Sequence, residues 1–414
     1  MEYKKLQRKN LAEIMRNNSM RGVYLFNADR FIRNFTDLQN EFRQIYPNTS
    51  IGYSYKTNWM PEIGSIVHTL GGYAEVTSPM EKDIARKAVG VSGREVIYNG
   101  IIPDISMLEV ARFNGKVNIE SVDALRFFLN SAEKVDIKDL EVGIRIRYED
   151  SRFGMNEVEA LGAAKKLGRE GHKLAGIHCH VGGSRSLDTW KKKTQYVLRI
   201  AEKLEKELGY PLKYIDLGGH MYGRMVPELA AQFGEIPTFK DYAEIVGAEM
   251  NNYAESRGTM PELILEPGTA LIADAVTVLA RIENVKEIRD GLVATLSVSS
   301  YDCGMIADYK DLPVENITRD ANHAKTTICG YTCMEEDFIS RNAHIYPRIG
   351  DIVHIQNCGA YSLSMKGNFI YEPLPVLKVN DRYEVTGMAK YTTKLRDIIA
   401  VSYTHLTLPT TSRV

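Results

Sequence analysis

Short apolar runs recur through the first two-thirds of the chain, and between them apolar residues return every three or four positions. The runs fall at 51–55, 73–76, 95–98, 116–119, 142–147, 174–179, 213–217 and 263–266. Runs of this length, bounded by Gly, Asn, Pro and charged residues, read as strands. The intervening stretches read as helices. At 80–89 and 122–129 the spacing is helical, and over 190–208 Tyr196, Val197, Ile200 and Leu204 share one stripe. Strand alternating with helix implies parallel pairing through right-handed crossovers. Eight such units point to a (β/α)8 barrel of the TIM type, because eight strands close on themselves; an open doubly wound sheet is the alternative.

Beyond about residue 280 the period changes. The runs 276–282, 292–299, 323–329, 351–355 and 383–387 are β-like, with turns such as Arg289-Asp290-Gly291, and helical spacing is scarce. The expectation is an α/β chain with the barrel at 23–280 and an antiparallel β domain at 281–400 that also takes in 1–22. Residues 401–414 are rich in Thr, carry Leu406, Leu408 and Pro409 without a helical period, and read as a non-native tail.

Composition adds exclusions. The chain has 414 residues, 44% hydrophobic and 25% charged, so it resembles an ordinary globular protein. Lys plus Arg number 52 against 53 Asp plus Glu, a net charge of −1, which favours neither nucleic acid nor an anionic membrane as partner. No apolar run approaches the ~20 residues of a membrane span. The N-terminus is basic (Lys4, Lys5, Arg8, Lys9), but Glu13 and Arg16 interrupt Leu11, Ile14 and Met15, so no secretory signal is expected. The five cysteines (Cys179, Cys303, Cys329, Cys333, Cys358) are odd in number and form no CxxC pair; reduced thiols in the cytoplasm are expected.

In such a barrel, reactive groups belong at the C-terminal ends of the strands. The first strand ends in Tyr55-Lys56-Thr57-Asn58, the sixth in His178-Cys179-His180-Val181-Gly182-Gly183-Ser184, the seventh in Asp216-Leu217-Gly218-Gly219-His220, the eighth in Glu266-Pro267-Gly268-Thr269. Taken singly, each has a plain structural reading: Lys56 a solvated cap, Gly218-Gly219 a tight turn, Glu266 a strand terminus, Cys333 a small buried hydrophobe. His178 and His180 share one side of a strand, as core histidines or as a metal pair. Taken together on one rim, they suggest a more specific chemistry. A neutral amine attacks a carbonyl to give a Schiff base. A glycine turn offers N–H groups to a phosphate. An acid facing a pyridine nitrogen keeps that ring an electron sink, and an imidazole supplies a planar face. These demands describe pyridoxal phosphate better than a nicotinamide or a flavin.

The chain resembles the fold-type III pyridoxal-phosphate decarboxylases, the family that contains diaminopimelate and ornithine decarboxylases. The resemblance rests on six ordered motifs: 53–58 around Lys56; Glu75-Val76-Thr77-Ser78 with Glu81; Ser151-Arg152-Phe153-Gly154; His178-Cys179-His180-Val181-Gly182; Gly330-Tyr331-Thr332-Cys333 with Asp337; and Gly359-Ala360-Tyr361. It implies an alanine-racemase-like pairing of barrel and β domain, a head-to-tail homodimer and an amino-acid substrate. It further implies that Lys56 forms the Schiff base and His180 stacks on the ring. Gly218 and Gly219 would bind the phosphate, with Ser184, Gly268, Thr269 and Tyr361 completing the cofactor site. Glu266 would pair with the ring nitrogen. Cys333, from the neighbouring subunit, would donate the proton that replaces carbon dioxide. Met334 and Asp337 would face the substrate, and no metal is implied.

This chain departs from the family pattern at several of these positions. Gly183 stands where the family has Ser, His220 where a third glycine is common, Thr269 where the motif ends in Arg, and Met334 where an acid holds the substrate's distal amine. The last two remove contacts worth roughly 1.5–3 kcal/mol each. A less charged substrate than diaminopimelate is therefore expected, although Glu335 and Glu336 keep a diamino acid open. A racemase of the same fold needs a base on each face of the ring, usually Tyr opposite the lysine; here the segment offers Cys. A non-catalytic cofactor carrier would lack the second domain. A metal hydrolase built on His178, His180 and Glu266 would be opposed by Lys56.

Overall fold

Residues 2–16, 20–289, 291–319 and 324–394 are described in the computed structural model of the chain. The proposed tail at 401–414 lies outside the described residues, as do His323 and Asp290 of the expected strand and turn. The chain forms two compact units: Arg30–Met225 with Ala230–Ala273, and the described parts of Met1–Asp29, Val226–Leu229 and Asp274–Val414.

Among the described residues seventeen strands are numbered in chain order. β1 (Gly22–Asn27) belongs to the second unit. The next eight are β2 (Thr49–Ser54), β3 (Tyr73–Val76), β4 (Val96–Tyr98), β5 (Lys116–Ile119), β6 (Glu141–Arg145), β7 (Lys173–His178), β8 (Tyr214–Asp216) and β9 (Glu262–Leu265). They form a closed barrel in that order, each parallel to the next, and β9 closes it on β2 through the pair Thr49↔Leu263. Strand residues such as Ile51, Ile97, Ile144, Ile177 and Ile264 are fully buried, as strands covered on both faces require. Tyr214 fills part of the interior against Ile97, Ala175 and Ile264. The helix Leu187–Leu208 buries Trp190, Val197, Ile200, Ala201 and Leu204, which sharpens the expected stripe. The expected helix at 80–89 is an α-helix, Pro79–Asp83, followed by a π-helical turn, Ile84–Val89, that Gly90 ends at φ +87°. Each barrel strand stops within a residue or two of its expected end. The difference matters at β2, where the chain turns into a 3-10 helix (Tyr55–Thr57) that carries Lys56.

The other unit holds β10 (Val276–Ile288), β11 (Gly291–Leu296), β12 (Val314–Asn316), β13 (Lys325–Cys329), β14 (Phe338–His344), β15 (Ile352–Ile355), β16 (Val376–Val379) and β17 (Val385–Lys390). With β1 they make a nine-stranded sheet whose main path runs β14-β13-β11-β10-β1-β16-β17. The sheet is mostly antiparallel, with parallel pairs β1–β16 and β11–β13. The N-terminal helix Glu2–Arg16 belongs to this unit. It buries Leu11, Ala12, Ile14 and Met15 among Val23, Leu25, Leu279, Ile352 and Leu377. The charges at Glu13 and Arg16 that break the apolar run are its exposed face. All five cysteines are free thiols. Among the described residues no helix is long and apolar enough to cross a membrane.

If this helix is part of the core, Leu11→Ala should lower unfolding stability by about 2–5 kcal/mol. Urea denaturation measures it, and a change under about 1 kcal/mol would detach the helix from the cluster.

Candidate active site

The C-terminal rim of the barrel carries a continuous buried polar chain. It begins where β2 ends. Lys56 Nζ lies 2.5 Å from Glu75 Oε2 and 3.2 Å from Ser54 Oγ. Ser54 donates to the same Glu75 oxygen at 2.6 Å. Glu75, from β3, accepts on its other oxygen from Asn99, just past β4, at 3.0 Å. The same Asn99 amide reaches Glu266 Oε1 at 2.6 Å. Asn118, on β5, donates to Asn99 Oδ1 at 2.9 Å and is fixed by the Tyr214 hydroxyl at 2.9 Å. His178, the last residue of β7, sits 3.2 Å from Glu266 Oε2. The chain thus links the lysine of one strand end to the carboxylate of another.

Two carboxyls share this interior. Burial, and then the neighbouring charge of Glu266, pushes Asp216 well above the usual carboxylate range. Burial acts in the same sense on Glu266, but His178 and Lys56 outweigh it and hold that carboxyl far below its ordinary value. The two carboxyls are thus driven in opposite directions. His178, Asp216 and Glu266 offer ligand atoms within 4.8 Å of one another, the geometry of a metal site. Their oxygens already have partners, however: Asp216 accepts from the Gly218 amide at 2.9 Å and Glu266 from Asn99.

Beside this chain lies the glycine turn. Gly218 adopts φ +65°, a left-handed conformation that favours glycine. A Cβ on Gly219 would stand 2.1 Å from the Glu266 carbonyl, so only glycine fits. The Gly219 amide donates to His180 Nδ1 at 3.0 Å, which fixes the imidazole's tautomer with the proton on Nε2. Burial, then Lys56, lowers the His180 pKa well below its ordinary value. Gly268 caps the short helix Thr269–Ile272, and a side chain there would strike Thr57, so the loop after β9 seats directly against the Lys56 turn. Ser184 is exposed and caps the following turn through Ser186 at 3.2 Å. Lys56, His180, Gly218, Gly219, Glu266, Gly268 and Thr269 thus all lie at strand ends of the barrel unit, with Ser184 in the loop beyond.

The remaining expected residues belong to the other unit. Cys333 and Met334 are exposed on the loop between β13 and β14, and Tyr361 is half-buried at φ +58°. Asp337, expected at the substrate, is 3% exposed. Its carboxylate accepts from the amides of Ser300 (2.8 Å) and Thr332 (3.0 Å) and the hydroxyls of Ser299 (3.2 Å), Ser300 (2.7 Å) and Thr332 (2.7 Å). Those bonds direct it inward, where it braces the Cys333 loop.

A family profile described as "Pyridoxal-dependent decarboxylase, pyridoxal binding domain" matches residues 29–273. The chain belongs to this family. Pyridoxal phosphate is its cofactor and decarboxylation of an amino acid its reaction. A diaminopimelate decarboxylase of Aquifex aeolicus is 25% identical over 366 residues, 80% of this chain and 81% of the relative. One of Archaeoglobus fulgidus is 26% identical over 375 residues, covering 83% and 85%. The crystal structure of diaminopimelate decarboxylase from M. jannaschii superposes with a TM-score of 0.84 at 22% identity, covering 96% of this chain and 94% of that one.

For a pyridoxal-dependent decarboxylase the residues at the rim are chemically suitable: an amine beside a proton acceptor, a glycine turn that no side chain could enter, and a buried carboxyl kept ionised. Asn99 and Asn118 escaped sequence reasoning, and Glu75 and Asp216, which stand in its motifs and strand ends, were given no role. Their signal was available, since a polar residue inside or just after an apolar strand of a barrel has only the interior rim to occupy.

The lowered His180 pKa has a consequence for stability. The unfolded imidazole takes up a proton near pH 6.5, while the folded one resists. The stabilisation is complete above that pH and is lost as pH falls toward the lowered folded value. Between pH 7 and 5 the unfolding free energy of the cofactor-free chain should fall. In His180→Gln the slope should be shallower by at most about 1.4 kcal/mol per pH unit. Identical slopes in urea titrations would show that His180 is charged in the folded chain.

Proposed function

We propose that Lys56 carries the cofactor, that Gly218 and Gly219 receive its phosphate with Ser184, Gly268, Thr269 and Tyr361 in support, that His180 lies on its ring, and that Glu266 pairs with the ring nitrogen. The observation that carries this reading is the hydrogen-bonded chain Lys56–Glu75–Asn99–Glu266. When bound, pyridoxal phosphate supplies a sink for the electron pair left as carbon dioxide departs. The protein's own groups do the rest. Glu75, 2.5 Å from Nζ, takes up the ammonium proton and leaves a nucleophilic amine. Glu266, charged and buried, holds a proton on the ring nitrogen. Neutral His180 presents a flat face without a competing charge.

Cys333 then returns a proton to the substrate carbon, supplied by a second copy of the chain in a head-to-tail dimer. Its thiol is exposed and its loop is braced by Asp337. The same surface supports the dimer. Tyr301, Met334, Phe369, Ile370 and Tyr371 are each between 43% and 53% exposed, with Tyr301 on Phe369 at 6.2 Å and Tyr331 on Tyr371 at 4.7 Å. A contiguous aromatic patch beside a catalytic loop is the kind of surface a partner covers. Thr269 and Met334 lack the charges that would hold a distal carboxylate and a distal ammonium, so the substrate is an amino acid less charged than diaminopimelate.

Lys56→Ala should lose both the absorption band of the lysine-bound cofactor and carbon dioxide release; a variant that keeps the band would overturn the assignment. Cys333→Ala should lower kcat about 100-fold or more, as loss of a general acid does. Mixing it with Lys56→Ala should restore turnover through hybrid dimers, and no restoration would mean that each copy uses its own thiol. In a screen of amino acids, Met334→Glu should raise kcat/KM for substrates with a distal amine by about tenfold or more. Amine and carbon dioxide, rather than the D-amino acid, are the expected products.

A further inference from the structure

One buried cation in the barrel unit has no place in the chemistry above. Lys193 lies on the inward face of the helix Leu187–Leu208 and is 1% exposed. Its neighbours on that face, Trp190, Thr194, Val197, Ala201 and Leu204, are otherwise core residues. The stripe calls for an apolar residue at this position. A buried ammonium costs several kcal/mol unless something repays it. Among the described residues no carboxylate forms an ion pair with it. Its contacts are the Leu217 carbonyl, to which Nζ donates at 2.7 Å, and the face of Trp190, 3.3 Å from the ring centroid. Burial lowers its pKa to about 8, while Cys179, Asp216 and Glu266 pull the other way; the carbonyl and the ring face are both partners that suit a cation.

The position of that one hydrogen bond is informative. The Leu217 carbonyl and the Gly218 amide belong to the same peptide group, at the entrance of the glycine turn. The Gly218 amide on the other side of that peptide donates to Asp216 Oδ1 at 2.9 Å, so the ammonium acts on an anion at the turn through its charge. The charge also reaches His180 and His220, where burial is the main cause of the lowered pKa values and Lys193 adds to it. It therefore favours neutral imidazoles around the turn.

We propose that Lys193 is a positioning residue for the cofactor's phosphate, a buried charge fixed behind the Gly218-Gly219 turn by its bond to the Leu217 carbonyl, which favours the dianion. This rests on the reading of that turn as the phosphate cradle. The charge is set by the protein core rather than by a mobile surface side chain, so it is screened little by salt.

The test compares binding of pyridoxal phosphate with that of pyridoxal, which lacks the phosphate, in the full-length chain. Wild type should prefer the phosphorylated form. Lys193→Met should reduce that preference by about tenfold or more, with pyridoxal affinity little changed. Lys193→Gln keeps a donor for the Leu217 carbonyl without the charge and should lose most of the preference as well. An undiminished preference in either folded variant overturns the proposal. Loss of the folded state in both variants overturns it too, by making the ammonium a requirement of the fold. Failure of the cofactor reading looks different: wild type itself would then show no preference for the phosphorylated form, or Lys56→Ala would leave the cofactor's absorption band intact.

Discussion

The site depends on holding the partly exposed Lys56 ammonium against the buried Glu75 carboxyl, with the buried Glu266 further along the same hydrogen-bonded chain. Either charge alone in the barrel mouth would be expensive. The chain does not solve this with a single ion pair. It distributes the cost over Glu75, Ser54, Asn99, Asn118 and His178, each holding one bond to the next. Burial and the charge of Glu266 push the Asp216 carboxyl upward, which opposes a further negative charge in the same interior. Apart from His178 Nδ1, which is buried without a partner among the described residues, these bonds fix the geometry of the network. The lysine and the acid are thus held at a set separation before any cofactor arrives.

The barrel makes that network possible by its arithmetic. Parallel strands put every strand end on the same rim, so residues far apart in sequence become neighbours without long loops. Ser54, Glu75, Asn99, Asn118, His178, Asp216 and Glu266 are spread over more than 200 residues of chain, and each lies within a residue or two of its strand's end. Packing below the rim is ordinary: apolar strands, a buried Tyr214 and amphipathic helices outside. The division of labour explains why the lower barrel reads as generic hydrophobic pattern while the rim reads as chemistry.

Eight strands and their order were legible because a fully buried parallel strand leaves an uninterrupted apolar run. The rim residues Lys56, His180, Gly218 and Glu266 were legible for a related reason: a polar or glycine residue at the end of such a run is conspicuous. The second unit was harder. β14 is Phe-Ile-Ser-Arg-Asn-Ala-His, half exposed and without strict alternation, and β12 has three residues. β1 reads plainly as apolar, but its partners β10 and β16 lie about 250 and 350 residues further on, which no local pattern reveals. Asp337 misled for a different reason. A carboxylate in a motif near an exposed thiol suggests a ligand contact, and only the positions of Ser299, Ser300 and Thr332 reveal that its oxygens are already occupied.

His220 brings these strands of reasoning together. It takes the left-handed conformation at φ +72°, where a residue with a Cβ pays roughly 1–2 kcal/mol relative to glycine. Its Nε2 bonds the Gly183 carbonyl at 3.0 Å, while one residue earlier the Gly219 amide bonds His180 Nδ1 at 3.0 Å. Both bonds run from the glycine turn to the histidine loop, one from backbone to side chain and the other from side chain to backbone, so the two loops are clasped twice. A third glycine would relieve the strain and open one clasp. The strain therefore has a structural return: the His180 imidazole and the glycine turn are tied into one body. Loop entropy that would otherwise be lost when the cofactor binds is already lost in the folded chain.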